Sequence, residues 1–259
     1  MSKEKILVIN SKDKQIGNNG DFTVQFNDSS CQQVQKVLCK EIFVPNVFYN
    51  VTDDGKRTNN TLTLSQNGLP NITVTIPEGQ YNIDLLMVEL KNAIDTVLID
   101  GAIVTVTRSS TTFKLTFTFS GAGTAANNNV QFFVAGSTIA KIIGLENDSV
   151  NGAVLLMDNI YNLVGIEYVQ VHSPQVGEVH GLDAGASGYI SLVDTISLSE
   201  TPFGGTAYKQ NNDDELAEIL YEQPKNLSRV SIVLRDEQGN KLSLPDNTNC
   251  SVMLKIYFD

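Results

Sequence analysis

The residues of this sequence with the widest chemical repertoire are two histidines, His172 and His180, eight positions apart across a turn containing Pro174. A zinc-like cation would take both imidazoles and two further ligands from the acids around them. Strand-end histidines that bind nothing are the plainer reading. Asn211-Asn212-Asp213-Asp214-Glu215 looks like a fragment of a calcium loop but lacks the central glycine and the distal glutamate; it reads as a solvated turn. Gly185-Ala186-Ser187-Gly188 does not carry glycine two positions to each side of its serine, as a nucleophile elbow requires. Gly121-Ala122-Gly123 opens no helix with dinucleotide-binding spacing and reads as a flexible turn. No phosphate-loop lysine motif, no paired-cysteine motif and no His-Glu-x-x-His is present. Cys31, Cys39 and Cys250 are an odd number without metal-type spacing, so reduced strand residues are expected. The sequence therefore predicts no catalytic, cofactor-binding or metal-ligating residues, and a protein that is not an enzyme.

Charge narrows the partners. A net charge of −11 leaves nothing to neutralise a row of phosphates, so nucleic-acid binding is not expected. The excess sits in one section: from Leu145 to Glu218 twelve acids face one base, Lys209, and the remaining 17 acids balance 17 bases. Such a section is expected to face solvent, a central pore or a basic partner surface; a merely solvated acidic face is the plainer alternative. No apolar run approaches the roughly 18 residues of a membrane helix. The N-terminal apolar stretch, Ile6 to Ile9, is too short for a signal peptide, so synthesis and folding in the cytosol are expected.

The elements that would position any site are strands. At the C-terminus Val230, Ile232 and Leu234 alternate with polar residues. A turn at Asp236-Glu237-Gln238-Gly239-Asn240 follows, Lys241 to Leu244 answers as a short partner, and Val252, Leu254, Ile256 and Phe258 alternate to the last residues. A chain ending inside a patterned strand must hold it against a partner distant in sequence. Phe22 to Phe26 and Val34 to Val44 also read as strands, the latter with Val34, Lys36, Leu38, Lys40, Ile42 and Val44 on one face. Asn82 caps the one long helix, in which Ile83, Leu86, Leu90, Ala93/Ile94 and Val97 form a core-facing stripe; Ser137 to Gly144 suggests a short capped helix. His180 to Gly188 and Thr201 to Asn212 read as Gly-rich loops. About a dozen evenly spaced strands predict an all-β sandwich without a visible linker.

The order of segments then becomes specific. Leu7-Val8-Ile9-Asn10-Ser11-Lys12-Asp13 precedes Gly20-Asp21-Phe22-Thr23-Val24-Gln25-Phe26. Val34 to Leu38, Ile42-Phe43-Val44-Pro45-Asn46 and Ile76-Pro77-Glu78-Gly79-Gln80-Tyr81 follow, and Leu234 to Asn240 closes the series. Over nearly the whole chain this resembles the penton, or vertex, proteins of icosahedral double-stranded DNA viruses with double jelly-roll major capsid proteins. Virophages, polinton-type viruses and large DNA viruses of that lineage carry them. The resemblance implies a single jelly-roll β-sandwich of two four-stranded antiparallel sheets with one or two short flanking helices. It implies one capsid domain over 1–259, with 1–30 as an N-terminal arm and first strands, and it leaves open an insertion whose boundaries the sequence does not mark. First and last main strands are neighbours in a jelly roll, which would place Val34 to Val44 beside Cys250 to Phe258.

The implied function is mechanical: a homopentamer that closes each fivefold vertex of the virion and docks on the major capsid protein, without cofactor, nucleic acid or membrane insertion. A jelly-roll module binding carbohydrate or a receptor is the alternative, and it would need an aromatic platform, whereas Tyr81, Tyr161 and Tyr208 are scattered. A monomeric scaffold is a third.

Overall fold

In a computed structural model the protein is described over residues 3–26, 31–55, 57–121, 123, 128–177, 191–211 and 218–258. In chain order the elements are β1 (Lys3–Asn10), β2 (Ile16–Gly17), β3 (Asp21–Gln25), β4 (Val34–Pro45), β5 (Thr61–Gln66), β6 (Ile72–Thr75), α1 (Ile83–Asp95), β7 (Ile103–Arg108), β8 (Lys114–Ser120), β9 (Val130–Phe133), α2 (Ala140–Ile143), β10 (Val154–Ile160), β11 (Tyr168–His172), β12 (Leu192–Ser197), β13 (Thr206–Gln210), β14 (Glu218–Lys225), β15 (Arg229–Arg235) and β16 (Ser251–Phe258). Contacts gather in two compact units, one of residues 1–48 and 166–259, the other of residues 49–165. The second is inserted whole between β4 and β11, a division that even strand spacing left unmarked.

The first unit is a jelly roll. One sheet has the order β1-β16-β4-β13, with β14 also on β4; the other has the order β12-β11-β15-β3-β2. β13 pairs with Glu41–Pro45 of β4 and β14 with Val34–Leu38, so together they fill one strand position in two halves. β2 adds two residues to the edge of β3. Each sheet thus has four full positions. Numbered along the chain, they lie in the order first, eighth, third, sixth in one sheet and fifth, fourth, seventh, second in the other. Successive strands switch layers at every step except from the fourth to the fifth, the β11–β12 pair, which is the jelly-roll winding.

The C-terminal strand is enclosed on both sides. β16 pairs with β4 and, in unbroken antiparallel register from Lys3↔Phe258 to Asn10↔Ser251, with β1. The expected pairing of Val34–Val44 with the C-terminal strand is therefore present. The first main strand, however, is β1, not β4. The apolar run Ile6-Leu7-Val8-Ile9, which reads as a short strand, lies within it: Ile9 is buried and Leu7 packs on the core, while Ile6 and Val8 point out.

Three further expectations are corrected. The two faces read for Val34–Val44 are mixed, because register shifts opposite Met253/Leu254 and Tyr257/Phe258 break the alternation. The core takes Val34, Val37, Cys39, Ile42 and Val44 instead. Lys241 to Leu244 is no strand; a single bridge, Arg235↔Lys241, forms there, and Leu242 and Leu244 drop into the core. Thr206 to Gln210, expected as loop, is β13. Its inward positions are Ala207 and Lys209, so the apolar alternation that marks a strand was absent.

The inserted unit has its own core. Sheets β10-β8-β7 and β6-β5-β9 contribute Phe117, Phe119 and Phe132, whose rings meet edge to face at 4.9 and 6.1 Å. Helix α1 forms as predicted: Asn82 accepts the Leu85 N–H at 2.9 Å, and Ile83, Leu86, Leu90 and Ile94 are buried. Helix α2 ends at Gly144 as expected but has no side-chain cap; Ser137 instead accepts the Thr63 N–H on β5 at 2.8 Å. Gly144 has φ +81°, and a Cβ there would lie 2.2 Å from the Asn159 carbonyl oxygen, so two separate constraints select glycine.

Candidate functional site

His172 ends β11 nearly buried, its Nε2 3.0 Å from the Gln170 side-chain oxygen. Burial, and then the Arg235 guanidinium, hold its pKa down to about 4, so the imidazole is neutral at physiological pH. His180 lies outside the described residues, as do Gly185 to Gly188, Ala122 and Asp213 to Glu215. Among the described residues no three His, Cys, Asp or Glu side chains are gathered to hold a metal. All three cysteines are buried. Burial first, and for Cys39 the Asp194 charge second, push the thiols of Cys39 and Cys250 up to about 12, where the reactive thiolate is not formed.

The described acids of the Leu145–Glu218 section are largely occupied. Asp158 accepts the N–H groups of Glu146 and Asn147 at 3.0 and 2.9 Å, and these bonds hold its carboxyl below the ordinary value. Asp148 accepts the Val134 N–H at 2.7 Å. Asp194, on β12, binds Lys209 Nζ at 2.6 Å through one oxygen and Asn211 Nδ2 at 2.6 Å through the other. Lys209 also donates to the Thr195 carbonyl and Asn211 to the Cys39 carbonyl. Because β12 and β13 belong to opposite sheets, this network fastens the two layers where the sandwich would otherwise open. An inward charge also marks β13 as an edge unsuited to adding a foreign strand. The lone base of the acidic section was its visible signal.

The Asp236–Asn240 turn forms as predicted. Fully buried Asp236 accepts the backbone N–H groups of Gln238 and Asn240 and the Asn240 amide, and Gly239 supplies φ +82°. Glu237 reaches back to accept the Tyr168 N–H at 3.0 Å, tying the turn to β11. These contacts are architectural.

Surfaces remain. In the inserted unit Val154, Leu156 and Ile160 on β10 are 61%, 61% and 60% exposed. In the jelly roll, the outer face of the β1-containing sheet presents Ile6, Val8, Tyr208 and Leu220, all more than half exposed. Phe43 stacks on Tyr208 at 4.7 Å, and Lys255 pairs with Glu4 at 2.9 Å. Lys36 and Lys255 lie over the Tyr257 ring at 4.8 and 5.2 Å. Tyr81 and Tyr161 pack on the core of the inserted unit instead, Tyr81 donating to the Pro77 carbonyl and Tyr161 accepting from Arg108. Tyr81 and Tyr161 thus belong to the inserted unit and Tyr208 to the jelly roll. Of these surfaces the sequence marked none, because Ile6 and Val8 sit in an unbroken apolar run.

No protein-family model and no curated protein matches this sequence. Among solved structures, the mavirus penton protein superposes with a TM-score of 0.55 at 10% identity, covering 98% of this chain and 99% of that one. A chain from the cryo-EM structure of the Sputnik virophage aligns at 9% identity and a TM-score of 0.48, covering 98% and 97%. The first likeness runs through the jelly roll and its insertion alike, and it shows the fold: this chain is built on the architecture of the mavirus penton protein.

Proposed function

We propose that this protein is a structural capsid protein of a virion, forming homopentamers that close the fivefold vertices of an icosahedral shell and dock on the major capsid protein. The observation that carries this reading is the shared architecture with a penton protein over 98% of the chain, insertion included. Two features of this chain add to it. Both ends of the jelly roll are stitched into one sheet by eight registered pairs, suiting a part that bears load and does no chemistry. The polar networks, at Asp194 and Asp236, are spent on fastening layers and turns rather than on an open cleft. The function is accordingly mechanical, and no bond is made or broken.

Native mass spectrometry of the purified chain tests this, with negative-stain imaging for symmetry. The reading expects fivefold rings with five times the 28.2 kDa mass of one chain. A chain that stays at 28.2 kDa at every concentration, or closes with another symmetry, refutes it.

A further inference from the structure

We infer that a cleft between β12 and β13 binds a neutral saccharide, a hexose or N-acetylhexosamine unit; the inference goes beyond the structural role and does not rest on the pentamer. The cleft has a volume of about 560 Å³, within the roughly 300–1,000 Å³ of small-molecule sites. Its lining is chemically uniform. Thr195, Ser197, Ser199 and Thr201 bring hydroxyls at alternate positions, and Glu200 and Tyr208 join them. A sugar ring presents hydroxyls around its rim and C–H bonds on its faces. Serine and threonine hydroxyls both donate and accept, and a carboxylate accepts from two neighbouring hydroxyls at once, so this lining answers the rim. The negative face of an aromatic ring attracts the C–H bonds, and Tyr208 supplies one that is 51% exposed.

The cleft is held in shape before any ligand arrives, which lowers the ordering cost of binding. The Tyr208 ring rests on Phe43 at 4.7 Å, and its phenol donates to the Glu41 carboxylate. The Ser197 and Ser199 hydroxyls are 2.8 Å apart. Past the end of β12 the Leu198 N–H donates to the Glu167 carbonyl at 2.7 Å, and the Thr201 N–H to the Leu198 carbonyl at 2.9 Å. The Thr201 carbonyl in turn accepts the Asn46 amide at 2.7 Å. Charge then selects among sugars. Lys209 also lines the cleft, but its ammonium is engaged by Asp194 at 2.6 Å and the Thr195 carbonyl at 3.1 Å. Glu41, Asp194 and Glu200 against Lys209 carry 1 − 3 = −2. A sialic acid or sugar phosphate is repelled there, whereas a neutral ring is not. A second cavity, of about 720 Å³ in the inserted unit, is lined by Ile160, Leu163 and Val164 and has no such row of hydroxyls.

The test is saturation-transfer NMR on the full chain with the methyl glycosides of glucose, galactose, mannose, N-acetylglucosamine and N-acetylneuraminic acid. At least one neutral glycoside should bind with a Kd of about 1 mM, and the sialoside should bind more weakly than that one. Tyr208→Ala should weaken binding about tenfold by removing the aromatic face, and Glu200→Gln about tenfold by removing a charged acceptor. Tyr208→Phe should stay within about twofold of wild type, because the phenol is already given to Glu41. Tyr208 and Glu200 are exposed, so circular dichroism and thermal midpoint should match wild type in all three variants. No transfer to any neutral glycoside at about 10 mM overturns the inference. Binding unchanged in both Tyr208→Ala and Glu200→Gln overturns the cleft, and a sialoside that binds at least as tightly overturns the neutral class. Binding by a chain that stays at 28.2 kDa supports the cleft and refutes the pentamer alone.

Discussion

Replacing Asp194 with alanine tests whether the charge network between β12 and β13 holds the jelly roll closed. An exposed ion pair contributes roughly 0–1 kcal/mol, while breaking a buried one costs about 3–5 kcal/mol. The geometry places this pair between those limits, since the Asp194 side chain is 11% exposed and that of Lys209 35%. Asp194→Ala removes a charge-assisted bond to Lys209, about 2 kcal/mol, and a bond to the buried Asn211 amide, about 1 kcal/mol. Together these come to about 3 kcal/mol. The first unit has 48 + 94 = 142 residues, for which about 3 °C accompanies each kcal/mol, so the Tm of its transition should fall by about 9 °C. Differential scanning calorimetry with urea titration measures both quantities. Lys209→Met should cost less, because the carboxylate keeps Asn211 and an edge near water. The double variant Asp194→Leu/Lys209→Met should cost less than the sum of the single changes, since no unpartnered charge is left behind. Asp194→Ala indistinguishable from wild type, or strict additivity of the pair, would show that the sheets are held by apolar packing alone.

His172 should make stability depend on pH in one window. Its folded pKa, about 4, lies below the ordinary 6.5, so between these values the unfolded chain binds more protons. Stability is complete above pH 6.5, falls as pH drops from there toward 4, and levels below it, by at most about 3 kcal/mol; the difference between wild type and His172→Gln across pH 4–8 isolates it, and a constant difference would remove the assignment. Gly144→Ala should destabilise the inserted unit by more than about 2 kcal/mol, because the new Cβ meets a backbone oxygen and the φ of +81° is strained as well. A thermal midpoint unchanged by that substitution would show that α2 shifts freely. Phe132→Ala should cost about 3–5 kcal/mol by leaving the hole between Phe117 and Phe119 unfilled, and proteolysis of residues 49–165 before the jelly roll is its readout.

Local pattern carried much of this architecture. The helix at Ile83–Asp95, with its asparagine cap, and the Asp236–Asn240 turn were legible because their determinants lie within a few residues of one another. The strict alternation of β16 announced a strand with one buried face. Where alternation was broken, the reading failed for identifiable reasons. Bulges in β4 reassign its inward residues from one parity to the other, and nothing in Val34–Val44 itself says where a partner strand slips by one residue. β13 turns a lysine inward, a position that makes sense only once Asp194 is brought opposite from another sheet. β1 is apolar on both sides, and only its pairing with β16 decides that Leu7 and Ile9 enter the core while Ile6 and Val8 face out.

The same division holds for the charges. Composition alone determined a folded, acidic, strand-rich chain with one lopsided section of charge. That Lys209 of β13 comes to meet Asp194 of β12 was decided by tertiary pairing, which brings two strands of opposite sheets face to face. Charges scattered along a chain cancel on paper, but Coulomb forces act over distances in space, and only the fold says which charges share a face.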